Sequence, residues 1–218
     1  MMKRFLQLGL RLSGGIERRL AQRLINQTGY YYTADWVRQR TDLWAKYLHP
    51  WQGSANVQML EIGSFEGRSA VWFLQNVLTA PTATLTCIDL FRGKTQEITF
   101  EHNLQVADLA HKVIKIKGKS QDVLKVLRQN YYDLIYIDGG HRAIEVYTDA
   151  VLCWPLLKAG GLIIFDDYLW QKHKAASERP QQGIDQFLEE RQAELALLHH
   201  SYQVIVQKVD EGSRIGIL

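Results

Sequence analysis

Four ionisable side chains in two short runs carry the most chemistry in this 218-residue sequence. Asp138 and His141 stand in Tyr136-Ile137-Asp138-Gly139-Gly140-His141, and Asp166 and Asp167 in Phe165-Asp166-Asp167-Tyr168. Three carboxylates brought together repel one another, so either some stay protonated or a cation sits among them. Asp138, Asp166 and Asp167 are therefore the expected metal ligands. Hard oxygen donors with no cysteine or paired histidine beside them favour Mg²⁺, Mn²⁺ or Ca²⁺ over zinc, with Mg²⁺ first. His141 is the candidate base: its unperturbed pKa of ~6.5 suits proton transfer near neutrality, with Asp138 as its partner in catalysis. The bland alternative for each acid alone is a cap or turn residue, and for the histidine a structural or solvated ring. His102, His111, His199 and His200 are read as solvated.

A second run, Glu61-Ile62-Gly63-Ser64-Phe65-Glu66-Gly67-Arg68-Ser69, has the composition of a ligand-binding turn. Gly63 permits a sharp turn and a close backbone approach, Gly67 lets the next helix start near the strand, and free amides there suit a carboxylate. The dinucleotide pattern with three glycines is absent. Downstream, Cys87-Ile88-Asp89-Leu90-Phe91 places an acid where ribose hydroxyls would lie and an aromatic beside the expected adenine. Ser120, Gln121 and Asp122 offer polar groups for an adenine amine, or Ser120 simply caps a helix.

These runs need strand ends to hold them. From residue 57 onward short apolar runs alternate with helical patterns, as in strand-helix-strand units of a parallel sheet. Six parallel strands are predicted at 57–62, 84–89, 112–117, 133–138, 162–166 and 202–208, with helices near 68–78, 97–110, 121–129, 144–157 and 182–197. A turn at Asp210-Glu211-Gly212-Ser213 then leaves 214–218 too close for a crossover, so that segment is predicted to return antiparallel. The fold class is α/β: a Rossmann-like seven-stranded sheet with an antiparallel last strand, helices on both faces and an N-terminal helical cap. The expected division is a cap over 1–52 and a catalytic domain over 53–218.

Taken together, E-I-G-S-F-E-G-R-S, C-I-D-L-F, Y-I-D-G-G-H and G-G-L-I-I-F-D-D-Y resemble the O-methyltransferase branch of class I S-adenosylmethionine (SAM) dependent methyltransferases over about residues 57 to 190. More narrowly, they are similar to the small bacterial group that includes macrocin-type sugar O-methyltransferases. The resemblance implies SAM contacts at Glu61, Gly63, Ser64, Gly67, Ser69, Asp89, Leu90, Phe91, Ser120, Gln121 and Asp122. It also implies metal-assisted methylation of a hydroxyl on a sugar, polyketide or catechol-like acceptor. One departure stands out. Arg142-Ala143-Ile144 follows the histidine, where relatives place an aromatic residue.

Composition bounds the partners. With 26 basic and 23 acidic residues the formal charge is +3, too small for a general nucleic-acid binder. Two cysteines make no disulfide framework, and reduced thiols in the cytoplasm are the expectation. No run reaches the ~18 apolar residues needed to span a bilayer. The first 25 residues place Lys3, Arg4, Arg11, Arg18, Arg19 and Arg23 against Phe5, Leu8, Leu12, Ile16, Leu20 and Leu24, which reads as a basic amphipathic helix rather than a signal peptide. Packing on its own domain or on a homodimer partner is the plainer role for that helix, membrane-surface contact the other. Two further function classes remain on the sequence. One is a nicotinamide-dependent oxidoreductase on a similar sheet, disfavoured by the missing glycine and the antiparallel ending. The other is a non-catalytic SAM-binding interaction module, disfavoured by the intact acid and histidine set.

Overall fold

The computed structural model describes residues 28–209. The basic helix expected over the first 25 residues and the strand expected at 214–218 lie outside the described residues. The chain divides into two compact units. One holds the residues through Asn56 together with Ser64–Leu85 and Phe91–Ile114, and the other Val57–Gly63, Thr86–Leu90 and the chain from Lys115 onward.

The strands are β1 (Gln58–Ile62), β2 (Thr84–Asp89), β3 (Val113–Lys117), β4 (Tyr132–Ile137), β5 (Leu157–Phe165), β6 (Leu195–His200) and β7 (Val204–Lys208). The helices of four or more residues are α1 (Thr41–Leu48), α2 (Arg68–Asn76), α3 (Lys94–Val106), α4 (Ser120–Val123), α5 (Ala143–Cys153) and α6 (Pro180–Arg191). The seven strands form one sheet in the order β3-β2-β1-β4-β5-β7-β6. β1 pairs parallel with β4 and β4 with β5, whereas β7 runs antiparallel to both β5 and β6. A Rossmann-like seven-stranded sheet that ends antiparallel is thus present, as the sequence led us to expect.

Which segments make that ending differs from expectation. The antiparallel strand is β7 at 204–208, predicted as the sixth parallel strand, and the edge strand β6 occupies 195–200, predicted as helix and loop. Glu194-Leu195-Ala196-Leu197-Leu198 consists of good helix formers, but α6 stops at Arg191 and the segment pairs with β7 instead. Pairing and packing override a propensity of a few tenths of a kcal/mol per residue. The register also slips between Leu197 and His199, which leaves both Leu197 and Leu198 exposed and erases the two-residue alternation that would have marked a strand.

Within the second unit the apolar faces of the strands and two helices share one core. Leu60, Ile62, Ile135, Ile137, Ile163 and Phe165 meet Val146, Ala150 and Cys153 of α5 and Ile184 and Phe187 of α6. The first unit has its own aromatic centre, with Trp44 fully buried and its ring 4.6 Å from Phe73. There Asn103 fastens the chain around Tyr31 through bonds to its amide and carbonyl at 2.8 and 2.7 Å. It also donates to the carbonyl of Glu66. Among the described residues no helix is long and apolar enough to cross a membrane.

Candidate functional site

The acid cluster follows from register. Ile137 of β4 lies opposite Phe165 of β5, so the next residue of each strand, Asp138 and Asp166, emerges at the same sheet end. Their backbones stay on the ladder: Asp138 N–H donates to Ile62 O (2.9 Å) and Asp166 N–H to Ile137 O (3.0 Å). In a parallel sheet, this carboxyl end is where ligands bind.

Tyr136, buried two residues before Asp138 on the same strand, sends its hydroxyl between the two carboxylates. It reaches Asp138 Oδ2 at 3.1 Å and Asp166 Oδ2 at 2.5 Å. One phenolic proton cannot serve two ionised acceptors, so the pair needs a second proton or a cation. Burial, and then the charges of Asp166 and Asp167, push the Asp138 carboxyl well above the ordinary carboxylate range, against the opposing pull of the Tyr136 hydrogen bond.

Asp167 sits in the left-handed region (φ 60°), a conformation that aspartate tolerates better than most residues. Its two oxygens are held from different sides, Oδ1 by the Tyr202 hydroxyl at 2.7 Å and Oδ2 by His141 Nε2 at 2.8 Å. Ligand atoms of Asp138, His141 and Asp167 lie within 4.8 Å of one another. The structure therefore brings His141 into the ligand-capable set. It commits Asp166 instead to Tyr136 and, through Oδ1, to the amide of Asp167 at 2.7 Å. Two carboxylates and an imidazole form a set that could hold a divalent cation. The Trp170 ring lies 4.6 Å from the imidazole.

The residues predicted to hold SAM are distributed over both units. In the second unit, Glu61 at the end of β1 is fully buried and accepts a hydrogen bond from Cys87 Sγ at 3.4 Å. Gly63 has φ 86°, and a Cβ there would lie 2.0 Å from the Asp138 carbonyl oxygen. The close approach that demands glycine is thus made to the β4 turn of the protein itself. Asp89 is half-buried at the end of β2, and Leu90 beyond it is exposed. Ser120 does not cap its helix; with Gln121 it donates to Asp149 Oδ1 on α5, at 2.8 and 2.7 Å. Asp122 is exposed and 3.9 Å from Lys125.

In the first unit, Ser64 is buried and its hydroxyl has no protein partner, which leaves it free for a ligand's polar group. Gly67 (φ 79°) gives way to the Phe100 ring, which a Cβ would approach to 2.9 Å. Ser69 is buried in the first turn of α2. The Phe91 ring packs in the core 5.1 Å from Phe100 at 2% exposure, so its place is structural and not that of an open stacking face.

Two other expectations change. His102 is not solvated, since its Nε2 meets the Gly29 carbonyl at 2.8 Å. His199 and His200 lie in β6 rather than in a loop, with the His200 ring 4.6 Å from that of Tyr168.

Three site residues escaped the sequence reading. Tyr136 was readable as the residue two before Asp138, which strand alternation puts on the same face. Asp149 was readable as a lone acid in the buried stripe Val146, Asp149, Ala150, Cys153 of α5. Tyr202 was not, because it depends on the β6–β7 hairpin that propensity hid.

Comparison with known proteins bears on the family and the fold. The O-methyltransferase hkm8 of Aspergillus hancockii is 29% identical over 117 residues, 50% of this chain and 42% of its own length. The chain spans about half the length, or less, of the curated relatives it matches. Among solved structures, the O-methyltransferase of Bacillus cereus in complex with SAH superposes with a TM-score of 0.65 at 16% identity, covering 91% of this chain and 93% of that one. MycE of the mycinamycin biosynthetic pathway, in complex with Mg, SAH and mycinamycin VI, gives 0.63 at 16% identity, covering 91% and 56%. At such identities these structures share the fold. The stretch from residue 60 to 168, half of the chain, matches the model of a methyltransferase domain family, and the chain belongs to that family.

Proposed function

We propose that this protein transfers the methyl group of SAM to a hydroxyl of a small molecule, assisted by a divalent cation, Mg²⁺ first, at the ends of β4 and β5. The observation that carries the reading is the convergence of Asp138, His141 and Asp167, with ligand atoms within 4.8 Å of one another, in a methyltransferase-family domain. Mg in complex with MycE supports it by analogy of fold alone.

The methyl carbon of a sulfonium is attacked in line by an oxygen, and a neutral hydroxyl is a poor nucleophile, so its proton must leave. A divalent cation in such a site supplies a lowered hydroxyl pKa and a fixed orientation for the acceptor. Asp138 and Asp167 are its proposed carboxylate ligands, with Asp166 beside them. Asp167 holds Nε2 of His141, which fixes the tautomer and leaves Nδ1 with the lone pair that takes the acceptor's proton. A second reading, with His141 Nε2 as a cation ligand in place of Asp166, is favoured by the same 4.8 Å cluster.

On the donor side, Asp89 is proposed to receive the ribose hydroxyls and the Ser120–Gln121 turn the adenine. The acceptor is proposed to be a sugar, polyketide or catechol-like compound, with no nucleic acid. Residues 1–52 are proposed as a cap for a homodimer or membrane-surface contact, in a cytoplasmic protein. Calorimetric titration with SAM tests the donor. No binding overturns the reading, and NADH competing with SAM revives the oxidoreductase. Turnover undiminished by chelation and by Asp166→Asn removes the cation from it.

A further inference from the structure

Between Gly63 and Gly67 the chain buries Ser64 and Glu66 but turns Phe65 outward, at 37% exposure. Phe65 stands in the left-handed region (φ 46°), where a bulky side chain is disfavoured and where strain persists only when the surroundings impose it. The outward ring meets a second exposed aromatic, Trp36, at 5.6 Å between centroids with the planes 38° apart. Trp36 is itself 69% exposed.

Two polar ties between the same two segments hold this pair in place. Buried Glu66 accepts twice from Thr33, from its amide at 2.6 Å and its hydroxyl at 2.9 Å. Asp35 Oδ1 accepts the Arg38 amide at 3.2 Å and lies 3.3 Å from Arg68 Nε, and the Arg68 guanidinium sits over the Tyr32 ring. Thr33 on Glu66, Asp35 on Arg68 and Trp36 on Phe65 thus lace residues 32–36 to residues 65–68, with the two aromatic rings left facing solvent. Single exposed apolar side chains are ordinary, whereas two large rings fixed side by side on a strained turn mark a binding surface. They form a shelf on the donor turn, whose ligand must meet the acceptor. Another flat π-face stacks on such a shelf, offset or edge-on. A saturated ring, with hydrogens and hydroxyls standing off both faces, touches it at fewer points.

We infer that Trp36 and Phe65 are specificity-determining residues that hold the acceptor by stacking, so that the acceptor is a planar hydroxyarene and not a sugar. This rests on the proposed donor site and narrows the proposed acceptor. Of the sugar, polyketide and catechol-like classes, those whose hydroxyl sits on an aromatic ring fit the shelf.

The test is ligand-observed NMR on the full chain, saturated with S-adenosylhomocysteine in the presence of Mg²⁺, with 2-naphthol and its saturated counterpart decahydro-2-naphthol as probes. The two share a skeleton and carry one hydroxyl each, so chelation favours neither, and the saturated probe is the more apolar. The wild type is expected to bind 2-naphthol about tenfold more tightly, the order of magnitude that one or two aromatic contacts supply. In Trp36→Leu and in Phe65→Leu the ratio is expected to fall to within about threefold of one. Trp36→Leu alters a mostly exposed side chain, so the fold is not at stake. Val126→Ser, which removes the most exposed of the large apolar side chains, should leave the ratio as in the wild type. Equal affinities, or no binding of either probe, in a wild type that binds S-adenosylhomocysteine overturn the inference alone, as does a ratio that survives in both variants. If that wild type is also a dimer in sedimentation that Trp36→Leu dissociates, the shelf belongs to a second copy of the chain. Failure to bind S-adenosylhomocysteine fails the donor site and the inference with it, a result distinct from the loss of preference.

Discussion

The hydroxyl of Tyr202 donates to Asp167 Oδ1 over 2.7 Å, tying the connection between β6 and β7 to the acid cluster at the end of β5. The backbone repeats the tie, with Tyr168 N–H on Tyr202 O at 2.9 Å. Asp167 is held by Tyr202 on one oxygen and His141 on the other, in a left-handed conformation with few alternatives. Outer partners of metal ligands typically contribute 10- to 100-fold in affinity. Tyr202→Phe is accordingly expected to weaken Mn²⁺ binding by about tenfold in calorimetry while the far-ultraviolet circular dichroism stays unchanged.

His141 separates two roles in one experiment. If it is the base, His141→Ala weakens Mn²⁺ binding no more than Tyr202→Phe does, about tenfold for one lost outer partner of Asp167, and lowers turnover by 10²–10⁴-fold, the usual range for a lost general base. If it is a ligand, Mn²⁺ affinity falls with the turnover. We expect the first outcome, because Asp138, Asp166 and Asp167 supply enough oxygen donors without the imidazole.

Asp138 should trade stability against function. Its carboxyl is pushed up by burial and by two neighbouring acids, so without a cation its charge costs free energy. Asp138→Asn is expected to raise the melting temperature in EDTA by about 2–4 °C, the equivalent of roughly 1 kcal/mol. The same variant should lose the rise that millimolar Mg²⁺ or Mn²⁺ gives the wild type. A melting temperature that drops in EDTA, or a cation shift that persists, counts against the assignment.

Two glycines with similar dihedral angles make opposite predictions. At Gly63 (φ 86°) a Cβ would meet the Asp138 carbonyl oxygen at 2.0 Å and Gly139 Cα at 2.8 Å, whereas at Gly160 (φ 78°) nothing lies within 4 Å. Gly160→Ala should cost only the left-handed penalty of about 1–2 kcal/mol. Gly63→Ala must also push two turns apart and should leave little folded protein, above 4 kcal/mol on the scale of severe substitutions. Urea denaturation of the pair measures the difference.

Asp149 gives stability a pH dependence of known sign. Burial raises its carboxyl from 3.8 to about 6, while Ser120 and Gln121 pull it down and Glu145 and Lys119 add smaller opposing effects. A folded-state pKa above the unfolded one means that the folded chain holds the extra proton, so this stability is full below pH 3.8 and is lost as the pH rises through about 6. Relative to Asp149→Asn, the wild type should lose about 2 kcal/mol of unfolding free energy between pH 4 and 7 and almost nothing further above that. A flat difference across that range would show that Asp149 is not buried as described.

Much of this was legible in the residues themselves. Apolar runs of five or six residues ending in Asp89, Asp138 and Asp166 mark strands and their ligand-binding ends together, because strand alternation and burial act over a few adjacent residues. Gly63 and Gly67 were readable as special positions, though the reason for Gly63 was not: the atom it makes room for lies 75 residues away, on the Asp138 carbonyl. β6 was not legible, since its leucines and alanine favour helix locally and only pairing with β7 decides otherwise.

By itself, then, the sequence determined the element types as far as α6, a parallel sheet with a reversed end, and the acids and histidine available for chemistry, all of which depend on composition and short-range periodicity. Tertiary structure alone decided the assignment of oxygens to partners: Asp166 to Tyr136 and the chain, Asp167 to His141 and Tyr202, Ser120 and Gln121 to Asp149. Hydrogen bonds are directional and a few ångströms long, so which acceptor meets which donor is settled only when distant strands and helices are packed to their final register.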